Sequence, residues 1–236
     1  MNLNEQRIVV STIIQDKNPA INIVPEQWDI LLHLAQLKHF KRKIGLPEEY
    51  VPGAPIPAQV FEITQKISDD LIPFTFHMGR AGTPPLYVSS NGEATTPTDM
   101  YYPATMTYNL IKPGGGVEPR MVDIVNDKEW QDLTTSYICN PTKRFPIANF
   151  KKDYIRFDPK NLQMVDFTYI KFPTKPVFAY TITNGYVEYD SVNSVELEWD
   201  EVNQLDILYI LLSDLGVVAT KADVFQISEK VKTKGI

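Results

Sequence analysis

Three histidines and a single cysteine are the residues best suited to metal or nucleophilic chemistry in this chain. Their spacing argues against both. His33 and His39 stand six apart on one predicted helix, so they do not share a face, and His77 is isolated. No pair has the HExxH spacing, and no second cysteine completes a zinc set. Cys139 lies in Tyr-Ile-Cys-Asn-Pro, which carries no thiol-enzyme signature, and being alone it excludes an internal disulfide. A Ser-His-Asp triad need not be local in sequence, but no GxSxG elbow supports one. The run Gly114-Gly115-Gly116 is followed by Val117, Glu118 and Pro119. A phosphate loop would need Lys-Ser/Thr and a helix there, to aim backbone N–H groups at the anion. Glu196 and Glu198 alternate on a predicted strand and so share a face. Paired carboxylates can hydrolyse glycosides, but no sugar platform stands beside them. The residues therefore predict no catalytic, cofactor-binding or metal-ligating set, and a chain that is not an enzyme.

Composition narrows the class further. Hydrophobic residues make up 43 % of 236 and charged residues 22 %, which is globular usage rather than disorder. Eighteen prolines against eleven glycines predict many rigid extended segments. No targeting signal is visible, and the apolar run 207–219 is too short to span a bilayer and contains Asp214. A net charge of −6 disfavours a nucleic-acid binder, whose affinity comes from neutralising phosphate. The charge is also uneven. No Lys or Arg occurs between Lys175 and Lys221, while Glu188, Asp190, Glu196, Glu198, Asp200, Glu201, Asp206 and Asp214 do. That stretch reads either as a solvated acidic face, or as a surface that meets a basic partner or repels DNA.

Periodicity supplies the elements. Trp28, Leu31, Leu32 and Ala35 follow one helical face after Pro25, with Lys41, Arg42 and Lys43 in the last turns and Gly45 as the stop. A shorter helix is expected over 7–15. Residues 46–57, with four prolines, read as an extended linker, and Val60, Ile63, Thr64, Ile67 and Leu71 as the stripe of a second helix ended by Pro73. From 74 to 199 the pattern turns to strands: 86–90, 105–111, 121–125, and an antiparallel pair 153–157 with 163–171. Between these, 91–103 and 112–119 read as polar loops, and Asn126 or Asp127 as the cap of a short helix. Asn184-Gly185 between 177–183 and 186–189 is the strongest hairpin signal. Asp200 caps a helix with Leu205, Leu208 and Leu212 that stops at Gly216, and Thr220 with Asp223 opens a last one. The predicted fold is α+β: N- and C-terminal helices (1–73 and 200–236) packed together, with an antiparallel β region (74–199) inserted. Trp28, Ile63, Ile67, Leu208 and Leu212 are expected to share one core. Leu197 and Trp199 are expected to pack beneath Glu196 and Glu198.

Several stretches resemble a structural-protein family of crAss-like and related phages of Bacteroidetes bacteria. They are Val24-Pro-Glu-Gln-Trp-Asp-Ile-Leu-Leu, His39-Phe-Lys-Arg-Lys-Ile-Gly-Leu-Pro-Glu-Glu-Tyr and Val60-Phe-Glu-Ile-Thr-Gln-Lys-Ile-Ser-Asp-Asp-Leu. Later come Asn140-Pro-Thr-Lys-Arg-Phe-Pro-Ile-Ala, Phe172-Pro-Thr-Lys-Pro-Val-Phe-Ala-Tyr, Val195-Glu-Leu-Glu-Trp-Asp-Glu and Asp206-Ile-Leu-Tyr-Ile-Leu. The resemblance runs in order over most of the chain. It implies a head–tail connector: a ring, typically twelve-fold, in the virion neck between portal and tail, assembled in the host cytoplasm. It implies no catalysis and no cofactor. Its partners would be its own copies, the portal and the neighbouring neck and tail proteins, with DNA as passing cargo and no membrane. Glu196, Glu198, Asp200 and Arg144 become candidate interface or channel-lining residues. A virion module binding host glycan or another virion protein is the alternative, and a hydrolase a more distant one.

Overall fold

A computed structural model describes the whole chain except residues 22, 45–68, 81, 113, 184–185, 218–219 and 235–236. Five α-helices occur among the described residues: α1 (Leu3–Lys17), α2 (Pro25–Ile44), α3 (Asp127–Thr135), α4 (Glu201–Asp214) and α5 (Lys221–Lys234). The strands are β1 (Thr75–Met78), β2 (Leu86–Tyr87), β3 (Glu93–Thr95), β4 (Met100–Ile111), β5 (Val117–Met121), β6 (Asp123–Ile124), β7 (Ile147–Phe150), β8 (Tyr154–Asp158), β9 (Met164–Lys171), β10 (Tyr180–Thr183) and β11 (Tyr186–Tyr189). The fold is α+β. The chain forms two compact units: Met1–Pro73 with Pro173–Ile236, and Phe74–Phe172.

The first unit is helical because its ends are well specified. Asn2 and Glu5 form a reciprocal capping box, which starts α1 four residues before the periodicity alone suggested. Asp200 caps α4 through the Asn203 N–H at 3.2 Å. Gly216, at φ +71°, ends it: its N–H reaches the Ser213 carbonyl, and the Val217 N–H reaches Leu212, both at 3.0 Å. Thr220 and Asp223 exchange the expected bonds at the start of α5, at 2.9 and 3.2 Å. Helix α2 packs on α4 and α1 on α5, while α4 also touches α5 and α1, so the N- and C-terminal helices pack together. Trp28, Leu32, Ile207, Leu208 and Leu212 are buried. Ile63 and Ile67 lie outside the described residues, as do Gly45, the proline-rich 46–57 and most of the expected second helix.

The second unit contains two sheets, β1-β9-β4-β5 (β2 also on β9) and β3-β8-β7-β6. Their inward residues, among them Met106, Ile155, Phe157, Val165, Phe167 and Tyr169, form one buried cluster. Pairing is antiparallel except between β6 and β7, which run parallel.

Several expectations need correction. Strands β8 and β9 do not pair with each other: β8 lies between β3 and β7, and β9 between β4 and the β1/β2 edge. Sequential strands suggested a hairpin, but each finds its apolar partners elsewhere. Residues 91–103 are not a loop, since they contain β3 and the start of β4. Only Ala94 of β3 is buried there, so an edge strand of polar residues satisfies the pairing. Pro103 is tolerated beside a register shift between Pro103 and Thr105. Of 112–119, Gly114 and Gly115 turn and Val117 onward is strand. The second boundary falls at Pro173 rather than 200, because the described residues after Pro173 belong to the helical unit: the Phe178 N–H donates to Asp29 at 2.8 Å. Glu196 and Glu198 follow an isolated bridge, Val177 to Val195, and are not in a strand. Leu197 and Trp199 are nonetheless buried beneath them.

Candidate interaction surface

The β4–β5 hairpin forms the candidate site. The Lys112 N–H donates to the Gly116 carbonyl at 2.7 Å, and the Val122 N–H to Met106 at 3.0 Å. The intervening pairs Ile111–Val117, Asn109–Pro119 and Thr107–Met121 therefore occupy non-hydrogen-bonded positions, with their side chains on one face. Met106 lies on the opposite face and is buried. The first face is open: Ile111, Val117 and Met121 are 74 %, 62 % and 65 % exposed. Burial of one face explains the alternation in the sequence, but not why the outer face should also be apolar.

The arm outruns the sheet. The last β4–β9 pair is Thr107–Asp166, so Tyr108 to Ile111 run on beyond the pairing with β9. A cleft of about 470 Å³ opens there, lined by Pro85, Tyr108, Ile111, Val117, Lys143 and Met164. The outer edge of β5 is blunted, because Pro119 has no N–H to offer between Val117 and Met121. Glu118 takes Arg120 at 2.7 Å and Lys112 at 3.4 Å. Desolvation opposes its charge, yet these cations hold its carboxyl below the usual range. Lys143 and Arg144 have no ion pair among the described residues, and Phe145, Tyr137 and Ile138 of the same loop are exposed.

The remaining predicted site residues lie in the other unit, and the acidic stretch there is bound to local partners. Glu196 accepts the Leu3 N–H at 2.8 Å and the Tyr189 hydroxyl. Burial, then that bond, pushes the Tyr189 phenol up to about 12. Glu198 accepts the Thr174 N–H at 3.4 Å, Asp200 caps α4, and Asp214 meets Lys38 at 2.7 Å. Asp190 accepts the Asn193 amide at 2.6 Å and the Val192 N–H at 3.0 Å, and the Asn193 side chain leads in lowering its pKa. Glu188 accepts from Thr183 at 3.1 Å. Arg144 is separate from all of these, in the sheet unit.

His39 and His77 have structural surroundings. His39 is buried, bonded through Nε2 to the Asn203 Oδ1 at 3.0 Å and edge-on to Trp199. His77 bonds Thr168 at 2.9 Å across β1 and β9. Cys139 is exposed and free. Among the described residues no group of three His, Cys, Asp or Glu could hold a metal ion, and no helix is long and apolar enough to cross a membrane. The exposed apolar face was not foreseen from sequence. Its only signal is the alternation of Val117, Pro119 and Met121 with Glu118 and Arg120, which looks the same for a buried face. No protein-family model matches the chain, and no curated protein matches it.

Proposed function

We propose that the chain is a non-enzymatic structural protein that forms a ring in the neck of a tailed phage, between portal and tail. The resemblance of its sequence stretches to such phage proteins motivates the reading. The observation that carries it in the structure is the open apolar face of the β4–β5 arm, with Ile111, Val117 and Met121 in water. An isolated soluble domain gains nothing from such a face, whereas a permanent joint between subunits buries it. A cyclic ring needs two different surfaces on each copy, one meeting the other on its neighbour. The two units differ as that requires. The helical unit carries nineteen carboxylates against twelve Lys and Arg, and the sheet unit ten against eleven. In the ring, the acidic stretch with Glu196 and Glu198 faces the DNA channel or a neighbour.

Cryo-electron microscopy of the particle containing this chain tests the proposal. The expected result is a closed cyclic ring in the neck, each joint burying on the order of 800 Å² per partner. Two-fold pairs with isologous contacts, or a location outside the neck, overturn it.

A further inference from the structure

The β10–β11 hairpin stands alone. It pairs with no other strand among the described residues, and a two-stranded ribbon in water is at best marginally stable. One of its faces carries Tyr180 opposite Tyr189, then Ile182 opposite Val187. The tyrosine end is tied to the helical unit: Tyr180 donates to Glu26 at 2.7 Å, and the Tyr189 ring lies 5.1 Å from that of Phe178. The other pair is left in water, with Ile182 69 % and Val187 45 % exposed. Glu188 and Asp190 accompany it, and no cation occurs between Lys175 and Lys221.

The cleft beside the β4–β5 arm is the complement of this hairpin. Its walls are apolar at Ile111, Val117 and Met164; Asp166 lines it at one side and Lys143 at another, with Arg144 next in the chain. Past Thr107, the β4 edge facing the cleft no longer pairs with β9. An acidic hairpin with an exposed Ile182–Val187 pair matches in surface type a cleft with apolar walls, and its carboxylates match in charge the Lys143–Arg144 side of that cleft, where neither cation has an ion pair among the described residues.

We infer that the β10–β11 hairpin of one copy seats in the β4–β9 cleft of a second copy, placing Ile182 and Val187 against Ile111, Val117 and Met164, and Glu188 beside Lys143 and Arg144. The inference rests on the ring reading and specifies its joint. The contact is heterologous: hairpin and cleft are different surfaces, so each copy gives one and receives one, and a chain of such contacts closes into a ring where the rotation between copies sums to a full turn.

Cross-linking between two singly labelled proteins tests it. One carries Cys139→Ser with Val187→Cys, the other Cys139→Ser with Met164→Cys, and both changed positions are half exposed. Mixed at high concentration and oxidised, they should give mainly the 164–187 dimer. Charge exchange provides the second readout. Arg144→Glu should weaken self-association at least about tenfold, and Glu188→Lys in the same chain should restore most of it. Dominant 164–164 or 187–187 links would make the joint isologous and overturn the inference. So would a 164–187 link formed within one chain carrying both cysteines at high dilution, since its own hairpin would then fill the cleft. Self-association with neither the mixed link nor the charge rescue overturns this joint and leaves the ring standing. Absence of any self-association, in solution and in the particle, overturns both.

Discussion

The two units keep different kinds of core. In the sheet unit Asn149 is the one buried polar residue among those described, and the core cluster itself is built of hydrophobic residues. The helical unit buries Gln6, Gln36, His39, Asn203, Gln204 and Ser228. Much of this set is joined: Lys43 meets Asp70 at 2.6 Å, Asn203 donates to Asp70 at 3.2 Å and accepts from His39, and Gln204 bonds Gln6 at 3.2 Å and the Trp199 carbonyl at 2.8 Å. The lesson concerns specification. Strand pairing fixes register by itself, because a one-residue slip turns every apolar side chain outward. Helices can slide or rotate on an apolar stripe, and directional buried bonds remove that freedom.

The sharpest break of the comparison is in the sheet core. Phe167→Ala, which empties space between Phe150 and Tyr169, should destabilise the sheet unit by about 3–5 kcal/mol in a denaturant titration. Leu208→Ala on α4 should cost about 2–5 kcal/mol. A cost below about 1 kcal/mol there would mean the helical core relaxes around the loss, and that its polar bonds carry the packing. Gln36 is fully buried, and its amide finds no partner among the described residues. Gln36→Leu should therefore raise stability by about 1–3 kcal/mol, while Asn203→Leu, which strips His39 and Asp70 of a bond, should lower it. If both substitutions stabilise, the polar set contributes no specificity.

Acid should separate the units as well. Burial lowers the pKa of His39, and so does nearby Lys43; the bond to Asn203 and the charges of Asp206 and Asp70 oppose this incompletely. The unfolded chain then binds more protons as pH falls through about 6.5, so the stability contributed by neutral His39 is present above that pH and lost below it. Thermal melts from pH 7.5 to 5 should show a loss that His39→Gln flattens, with no matching change in the sheet unit. The smallest effect should come at a helix end. Asp200→Ala removes the α4 cap and should cost about 1 kcal/mol, read by denaturant midpoint.

For the five described helices, existence and most caps were legible along the chain, since each depends on residues within one turn. Pro25, Asn126, Asp200, Gly216 and the Thr220–Asp223 box all act where they were placed. The Asn184-Gly185 signal likewise predicted a hairpin, and Thr183 stands opposite Tyr186. In the sheet unit, strand partners were not legible. The alternation in β8 and β9 states which side chains turn inward, but it is silent on which backbone lies alongside. The polar composition of β3 hid a strand whose one buried residue, Ala94, gives no periodicity.

The candidate surface divides the same way. Sequence alone determined the charge asymmetry, the lack of a cation from 176 to 220 and the absence of the spacings that metal or thiol chemistry needs, because these are properties of composition and order. It also placed Leu197 and Trp199 inward, since neighbouring side chains on extended chain point opposite ways. Only the tertiary structure decided that Glu196 is held by Leu3 and Tyr189, and that Asp200 serves its own helix. It also decided that the apolar set Ile111, Val117 and Met121 lies in water while Met106 is buried. An apolar residue is drawn to any surface that removes it from water, and its sequence does not say whether that surface belongs to its own chain or to another.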